Sequence, residues 1–264
     1  MSEIIAIANQ KGGVGKTTTA INLSSCLAKY QKKVLIVDLD PQGNCSRGIG
    51  IDPTILKKTI FDVIIGEKSI KNVIIKTVIK YVDILPANLD LAAAEGKLIS
   101  LGITSGLNTL KQYLTKINND YDYIIIDCPP SLGFLSLNAL TAANSVLIPV
   151  QCEYFAMEAV AQILAAINNV RMSTNPQLDI LGFLLTMYDN RTKLSTMITS
   201  EVTGTFKEKT FATQIPRNVS LAECSALGKP VNFYKPKAAG SIAYSSLARE
   251  VIEYVRRKDR KSVV

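Results

Sequence analysis

The chain has 264 residues, enough for one large α/β domain or two small ones, and its 47% hydrophobic content is enough for a substantial core. It carries 30 Lys and Arg against 22 Asp and Glu, a formal charge of +8, which leaves open a polyanionic partner. It has no His, which excludes a Ser-His-Asp triad, a His general base and a His-ligated metal. The five cysteines, at 26, 45, 128, 152 and 224, are odd in number and widely spaced, without a C-x-x-C. Reduced thiols in a cytosol are therefore expected rather than a disulfide framework or a zinc site. The opening MSEIIAIANQ lacks a basic region, so no signal peptide is expected. No apolar run reaches the ~18–20 residues of a membrane span.

In chain order, Ile- and Val-rich runs predict strands at 3–8, 33–38, 123–128, 145–150 and 178–186, with a shorter one at 82–86. The runs are continuous rather than alternating, as in a parallel sheet covered on both faces. Between them, Ala20, Leu23, Leu27 and Tyr30 share one face of a helix predicted over 16–31, and a second helix is predicted over 156–172. Near the end, Tyr244, Leu247, Ala248, Val251, Ile252 and Val255 form a stripe of helical period. This alternation predicts an α/β fold: a doubly wound, mostly parallel sheet with helices on both faces, forming one domain over 1–264. Residues 256–264 are expected to be a frayed basic tail. Residues 51–81 read as about two helices without evident chemistry.

The segment NQKGGVGKTT, residues 9–18, follows a predicted strand and opens a predicted helix. In that context Gly12, Gly13, Val14, Gly15, Lys16, Thr17 and Thr18 form a phosphate cradle. Glycines let successive N–H groups turn inward, and the helix N-terminus adds partial positive charge. Lys16 would reach the β- and γ-phosphates, and the Thr17 hydroxyl would ligate Mg²⁺, a hard cation that prefers oxygen. The loop departs from the general pattern at Gln10, which stands where the first glycine belongs, and Lys11 follows it. A cation placed before the loop closes can point outward and bridge to a second anion.

Carboxylates at strand ends complete a nucleotide site. Asp127 ends an apolar strand and would hold Mg²⁺ through water, with Asp38 in the same outer shell and Asp40 on the loop beyond. Turn chemistry before a proline is the alternative reading of Asp38 and Asp40. Pro129 and Pro130 stiffen a loop placed to sense the γ-phosphate, and Gly133 gives it room to move. A single aspartate without an arginine finger predicts slow, partner-stimulated hydrolysis. The charge excess is uneven: residues 181–264 hold 14 basic against 7 acidic residues, whereas 1–180 hold 16 against 15. A solvated surface and a footprint for duplex DNA phosphates both fit that excess.

The K-G-G-x-G-K-[ST] loop resembles the deviant phosphate loop of the ParA/MinD superfamily. NQKGGVGKTTTAINL, VLIVDLDPQGN, YDYIIIDCPPSLG, VLIPVQCEYFAMEA, IPRNVSLAE and GKPV…GSIAY, in this order, resemble the small chromosomal-type ParA proteins often called Soj. The resemblance implies ATP and Mg²⁺ as cofactors, with Lys11, Lys16 and Asp40 as catalytic residues. Lys11 would reach the nucleotide of the other subunit, and Asp40 would orient the attacking water. It further implies a homodimer on ATP binding, non-specific double-stranded DNA bound in that state, and a ParB-type partner that triggers hydrolysis. The expected location is cytoplasmic, on the nucleoid when ATP-bound. Arg191 matches a DNA-binding position of the family, and Arg217 and Lys229 are further candidates, followed by Lys193, Lys207, Lys209, Lys235 and Lys237. Met187, Pro216 and Asn218 are the adenine candidates. Related branches fit less well. No cysteine lies between 46 and 127 to share an iron–sulfur cluster, and RRKDRKSVV has two valines as its only apolar residues, so no stable membrane association is expected. A MinD-like ATPase positioned on a membrane or receptor is the alternative, and a metabolic phosphate-loop enzyme with an added catalytic base is a third.

Overall fold

The computed structural model describes residues 1–262. Strand β1 (Glu3–Ile7) leads through the glycine loop into α1 (Lys16–Lys29), and β2 (Val34–Asp38) into the short α2 (Asn44–Gly48). Then come α3 (Ile60–Ile64), β3 (Ile75–Lys76) and β4 (Val82–Leu85), with 3-10 turns at Pro53–Ile55, Ile70–Asn72 and Leu89–Ala93. Helices α4 (Ala94–Ser100), α5 (Ile103–Leu107) and α6 (Thr109–Thr115) precede β5 (Tyr123–Asp127) and α7 (Phe134–Ala142). Strand β6 (Ser145–Gln151), α8 (Ala156–Ser173) and β7 (Asp179–Thr186) follow. The chain ends with α9 (Lys193–Phe206), α10 (Val219–Ala226), α11 (Val231–Tyr234) and α12 (Ala239–Ser262).

The sheet order is β3-β4-β2-β5-β1-β6-β7, parallel throughout except for the β3–β4 pair. The chain winds outward from β1 in both directions, so the loop after β1 sits at the topological switch point, where open α/β sheets bind ligands. Strand side chains alternate between two cores. Ile5, Ile7, Ile36 and Ile125 pack with Leu23 and Leu27 of α1 and Tyr244, Leu247 and Val251 of α12. Ile4, Ala6, Val37 and Ile126 face Leu98, Leu114, Leu140 and Ile163 on the other side. Tyr244 is buried, and its hydroxyl lies 3.1 Å from that of Thr19 on α1.

The doubly wound sheet expected from the strand pattern is present, with β3 as an added antiparallel edge. Residues 51–81 hold one α-helix, α3, and 3-10 turns rather than two helices. Thr59 starts α3 with a capping box: its hydroxyl accepts from Phe61 N at 3.3 Å, and Asp62 accepts from Thr59 N at 2.7 Å. The tail expected from residue 256 is instead helix as far as Ser262. Lys258 on it bonds Glu3 at 3.2 Å, and Arg257 pairs with Glu253 one turn back at 3.8 Å. Residues 263 and 264 of that expected tail lie outside the described residues.

Candidate nucleotide site

The glycine loop closes through backbone that only glycine takes easily: Gly13 and Gly15 have φ of 74° and 90°. Gly15 is the N-cap of α1 and offers no side chain, so the first amides of a 14-residue helix are free to meet an anion. Thr186, at the end of β7, braces the loop by donating its hydroxyl to Val14 O at 2.9 Å. The Lys16 side chain is buried, and its ammonium donates to Lys11 O at 3.0 Å. Burial lowers the Lys16 pKa, opposed by the negative charge of Asp127 and Asp40.

β2 and β5 are neighbours in register, so Asp38 and Asp127 stand side by side at the strand ends, and both are 0% exposed. They differ in what surrounds them. Asp38 accepts from Ser46 N at 2.8 Å, from the Ser46 hydroxyl at 2.7 Å and from Asp40 N at 3.3 Å. Neither oxygen of Asp127 has a hydrogen bond of acceptable geometry. Burial pushes its pKa up, the charge of Asp38 adds to this, and the neighbouring Thr17 hydroxyl and Lys16 pull it back. Asp38 is raised too, by burial first, against its bonds from Ser46. A buried carboxylate without partners, beside a hydroxyl at a helix start, is a donor set that fits a hard divalent cation. Asp127 and Thr17 would hold it, with Asp38 behind. Asp40, also buried, keeps its turn through Gln42 N, which donates to Oδ1 at 2.9 Å.

The adenine candidates converge. Met187, Pro216 and Asn218 line one cavity of about 590 Å³ with Gly15, Thr18 and Tyr244. Two segments are sewn together to form it: Tyr188 N donates to Ile215 O and Arg217 N to Tyr188 O, both at 3.0 Å. Met187 sits at the turn with φ of 52°, a left-handed conformation rare for a non-glycine residue. The Asn218 carbonyl is already engaged as the N-cap of α10, accepting from Ser220 N at 3.1 Å.

The DNA candidates are less united. Arg191 is 83% exposed but forms a two-point pair with Asp189 at 2.9 and 2.7 Å. Arg217 lines the cavity that the adenine candidates share, and its charge also acts on Asp189. Lys229 follows the far end of α10. Lys209 and Lys235 are taken up within the molecule, by Asp179 at 3.1 Å and Glu223 at 2.8 Å, so the basic surface is smaller than the composition suggests. Sequence reasoning missed Ser46, Thr186 and Glu153. Thr186 and Glu153 act on residues far away in the chain, brought to the site by the strand order, whereas Ser46 reaches Asp38 from the short helix that follows β2. Tyr244, on the helical stripe near the end of the chain, is buried in the core and also lines the cavity.

Among the described residues no helix is long and apolar enough to cross a membrane. A family model described as an AAA domain matches residues 2–180. The chromosome partitioning protein ParA of Caulobacter vibrioides is 48% identical over 262 residues, covering 98% of this chain and 96% of that protein. The sporulation initiation inhibitor protein Soj of Bacillus subtilis is 47% identical over 251 residues, covering 95% and 98%. Among solved structures, cobyrinic acid a,c-diamide synthase from Mycobacterium smegmatis with bound ADP and magnesium superposes with a TM-score of 0.85 at 38% identity, covering 97% of this chain and 96% of that one. The matching model, the near-complete overlap with these relatives and the shared fold together place the chain in the ParA/Soj family of partition ATPases.

Proposed function

We propose that the protein is an ATP-driven switch for DNA partition: ATP closes a dimer, the dimer binds duplex DNA without sequence preference, and partner-stimulated hydrolysis releases it. The observation that carries this reading is that the two lysines of the loop serve different places. Lys16 turns back into the loop, while the Lys11 ammonium is committed to Glu153, just beyond β6. Lys11 is thus held apart from the phosphate cradle that Lys16 faces, and in this reading it leaves Glu153 for a second nucleotide.

In this reading the uncapped amides of α1 hold the phosphates, and Lys16 moves from the Lys11 carbonyl onto them. Asp127 and Thr17 hold Mg²⁺, which when bound neutralises phosphate charge. Asp40 accepts a hydrogen bond from the attacking water and so aligns it. Lys11 crosses to the partner's nucleotide. The dimer doubles the positive field around Arg191 and Arg217, and the differential DNA affinity of the two states makes hydrolysis a timer. One aspartate without an arginine finger gives slow turnover that a ParB-type partner raises.

The test is binding to random-sequence duplex DNA with ATP and with ADP across a salt series, using Asp40→Ala to preserve the ATP state. Binding is expected with ATP only and should fall steeply with salt. Arg191→Ala should weaken it and reduce the salt slope by about one counterion per lost phosphate contact. Asp189→Asn should do the opposite, raising affinity a few-fold, because it frees the Arg191 guanidinium from its internal carboxylate. If neither nucleotide state binds DNA, the partition reading fails, and sedimentation with anionic liposomes becomes the next assay.

A further inference from the structure

Lys11 is tethered at three points. Its backbone N–H donates to Asn9 Oδ1 at 3.0 Å, and Asn9 is itself buried and bonded to Pro149 O at 2.7 Å. Its carbonyl accepts the Lys16 ammonium at 3.0 Å. Its own ammonium meets Glu153 Oε2 at 2.9 Å. Glu153 does not reach Lys11 by chance of a loose side chain. Its other oxygen accepts from Gln151 Nε2, its N–H donates to Gln151 O at 2.8 Å, and its carbonyl accepts from Ala156 N at 3.0 Å where α8 begins. The carboxylate is thus fixed from both ends of a turn that joins β6 to α8.

We infer that Glu153 is a positioning residue that holds Lys11 in reserve in the nucleotide-free monomer and so sets the threshold for ATP-dependent dimer formation. The inference rests on the role proposed above for Lys11 across the interface. Two of the three tethers are ones that phosphate removes. When Lys16 turns to a phosphate in its own site, the Lys11 carbonyl loses its partner and the loop loosens. The multiply charged phosphate of a second nucleotide then outcompetes a single carboxylate for the Lys11 ammonium. The two residues after Glu153 support a second copy as the destination. Tyr154 and Phe155 are 74% and 62% exposed and pack edge to face with ring centroids 5.1 Å apart, so the turn that holds the latch also presents apolar surface. The pair is partly exposed, with side chains 28% and 45% accessible, so it biases the equilibrium rather than locking it.

The experiment is sedimentation velocity of the full chain in the Asp40→Ala background with ATP, comparing the parent with added Lys11→Ala, Glu153→Gln or Glu153→Asp, at low and high salt. Lys11→Ala should block the dimer. Glu153→Gln should lower the protein concentration at half-dimerisation by roughly threefold to tenfold, since one half-exposed pair opens in each protomer. Glu153→Asp, which keeps the charge but shortens the reach, should fall between. The gap between the parent and Glu153→Gln should narrow at high salt, where the Debye length drops from about 8 Å toward about 3 Å; a purely structural role for Glu153 would not show that dependence. If Lys11→Ala dimerises like the parent, the proposed role of Lys11 is wrong. If Lys11→Ala blocks the dimer but Glu153→Gln leaves it unchanged or weaker, the role of Lys11 stands and the reserve function of Glu153 is overturned.

Discussion

Asp127→Asn should make the nucleotide-free protein more stable while it abolishes Mg²⁺-dependent nucleotide binding. The two effects have one cause. Asp127 is completely buried, has no well-formed hydrogen bond and stands beside Asp38, itself completely buried. Removing one of two adjacent buried charges relieves about 1–3 kcal/mol of unsatisfied desolvation, which is worth about 2–4 °C per kcal/mol in a domain of this size. The same change removes the carboxylate best placed to hold the cation. The pH dependence follows the same logic. Both carboxyls have raised pKa values in the folded state, Asp38 reaching about 6, against roughly 4 when unfolded. Above the unfolded value the folded state binds more protons, so stability falls as pH rises through the folded pKa of Asp38, and Asp127, which is raised too, extends the fall in the same direction. Thermal midpoints of the nucleotide-free protein should therefore decline from about pH 5 to about pH 7, and the Asn variant should decline less. A nucleotide-free Asn variant that melts below the parent at neutral pH would refute this account.

Lys16→Ala should have the opposite signature, with both stability and binding lost. The Lys16 ammonium is the buried cation that Asp127 and Asp40 act upon, and removing it leaves those carboxylates without compensation. Its loss also leaves the Lys11 carbonyl without its donor, and the combined cost is on the order of 1–3 kcal/mol. Each lost charge-assisted bond to phosphate costs about 1.5–3 kcal/mol, so nucleotide affinity should fall by at least about a hundredfold. A fluorescent-nucleotide titration and a thermal melt on the same sample read both effects. Near-parental affinity in a folded Lys16→Ala protein would remove Lys16 from the phosphate site. Taken together, the two variants separate groups retained for function at a cost to stability from groups that serve both.

How much of this was legible in the sequence depends on the range of the physics involved. Strands such as Tyr123–Asp127 were readable because a strand buried on both faces has to be apolar throughout. The phosphate loop was readable because its chemistry is contiguous. Helix α7 was not, because seven of its nine residues are buried and no amphipathic period remains to detect. The extension of α12 beyond residue 255 was missed because one of its anchors, Glu3, lies at the other end of the chain. Within the site, the strand-end carboxylates were legible but not the difference between them. That difference is made by Ser46, which satisfies Asp38 and leaves Asp127 bare. The adenine candidates came from family resemblance, and only the pairing of Tyr188 with the 215–217 segment shows why they meet.

The contact between Tyr244 and Thr19 has a mechanical consequence. It joins α12 to α1 one turn from the phosphate loop, while the basic residues of α12 lie at its far end. From Tyr244 to Ser262 the helix extends about 27 Å at 1.5 Å per residue. That length makes α12 a lever with its fulcrum against the phosphate loop, and a tilt of about 5° there would displace the charged end by about 2 Å, working against the Lys258–Glu3 bond that ties this end to β1. A packed helix pair transmits such a rotation without unfolding, and a shift of a few ångströms is enough to make or break a hydrogen bond. Geometry of this kind lets small rearrangements around a triphosphate register at a surface remote from it.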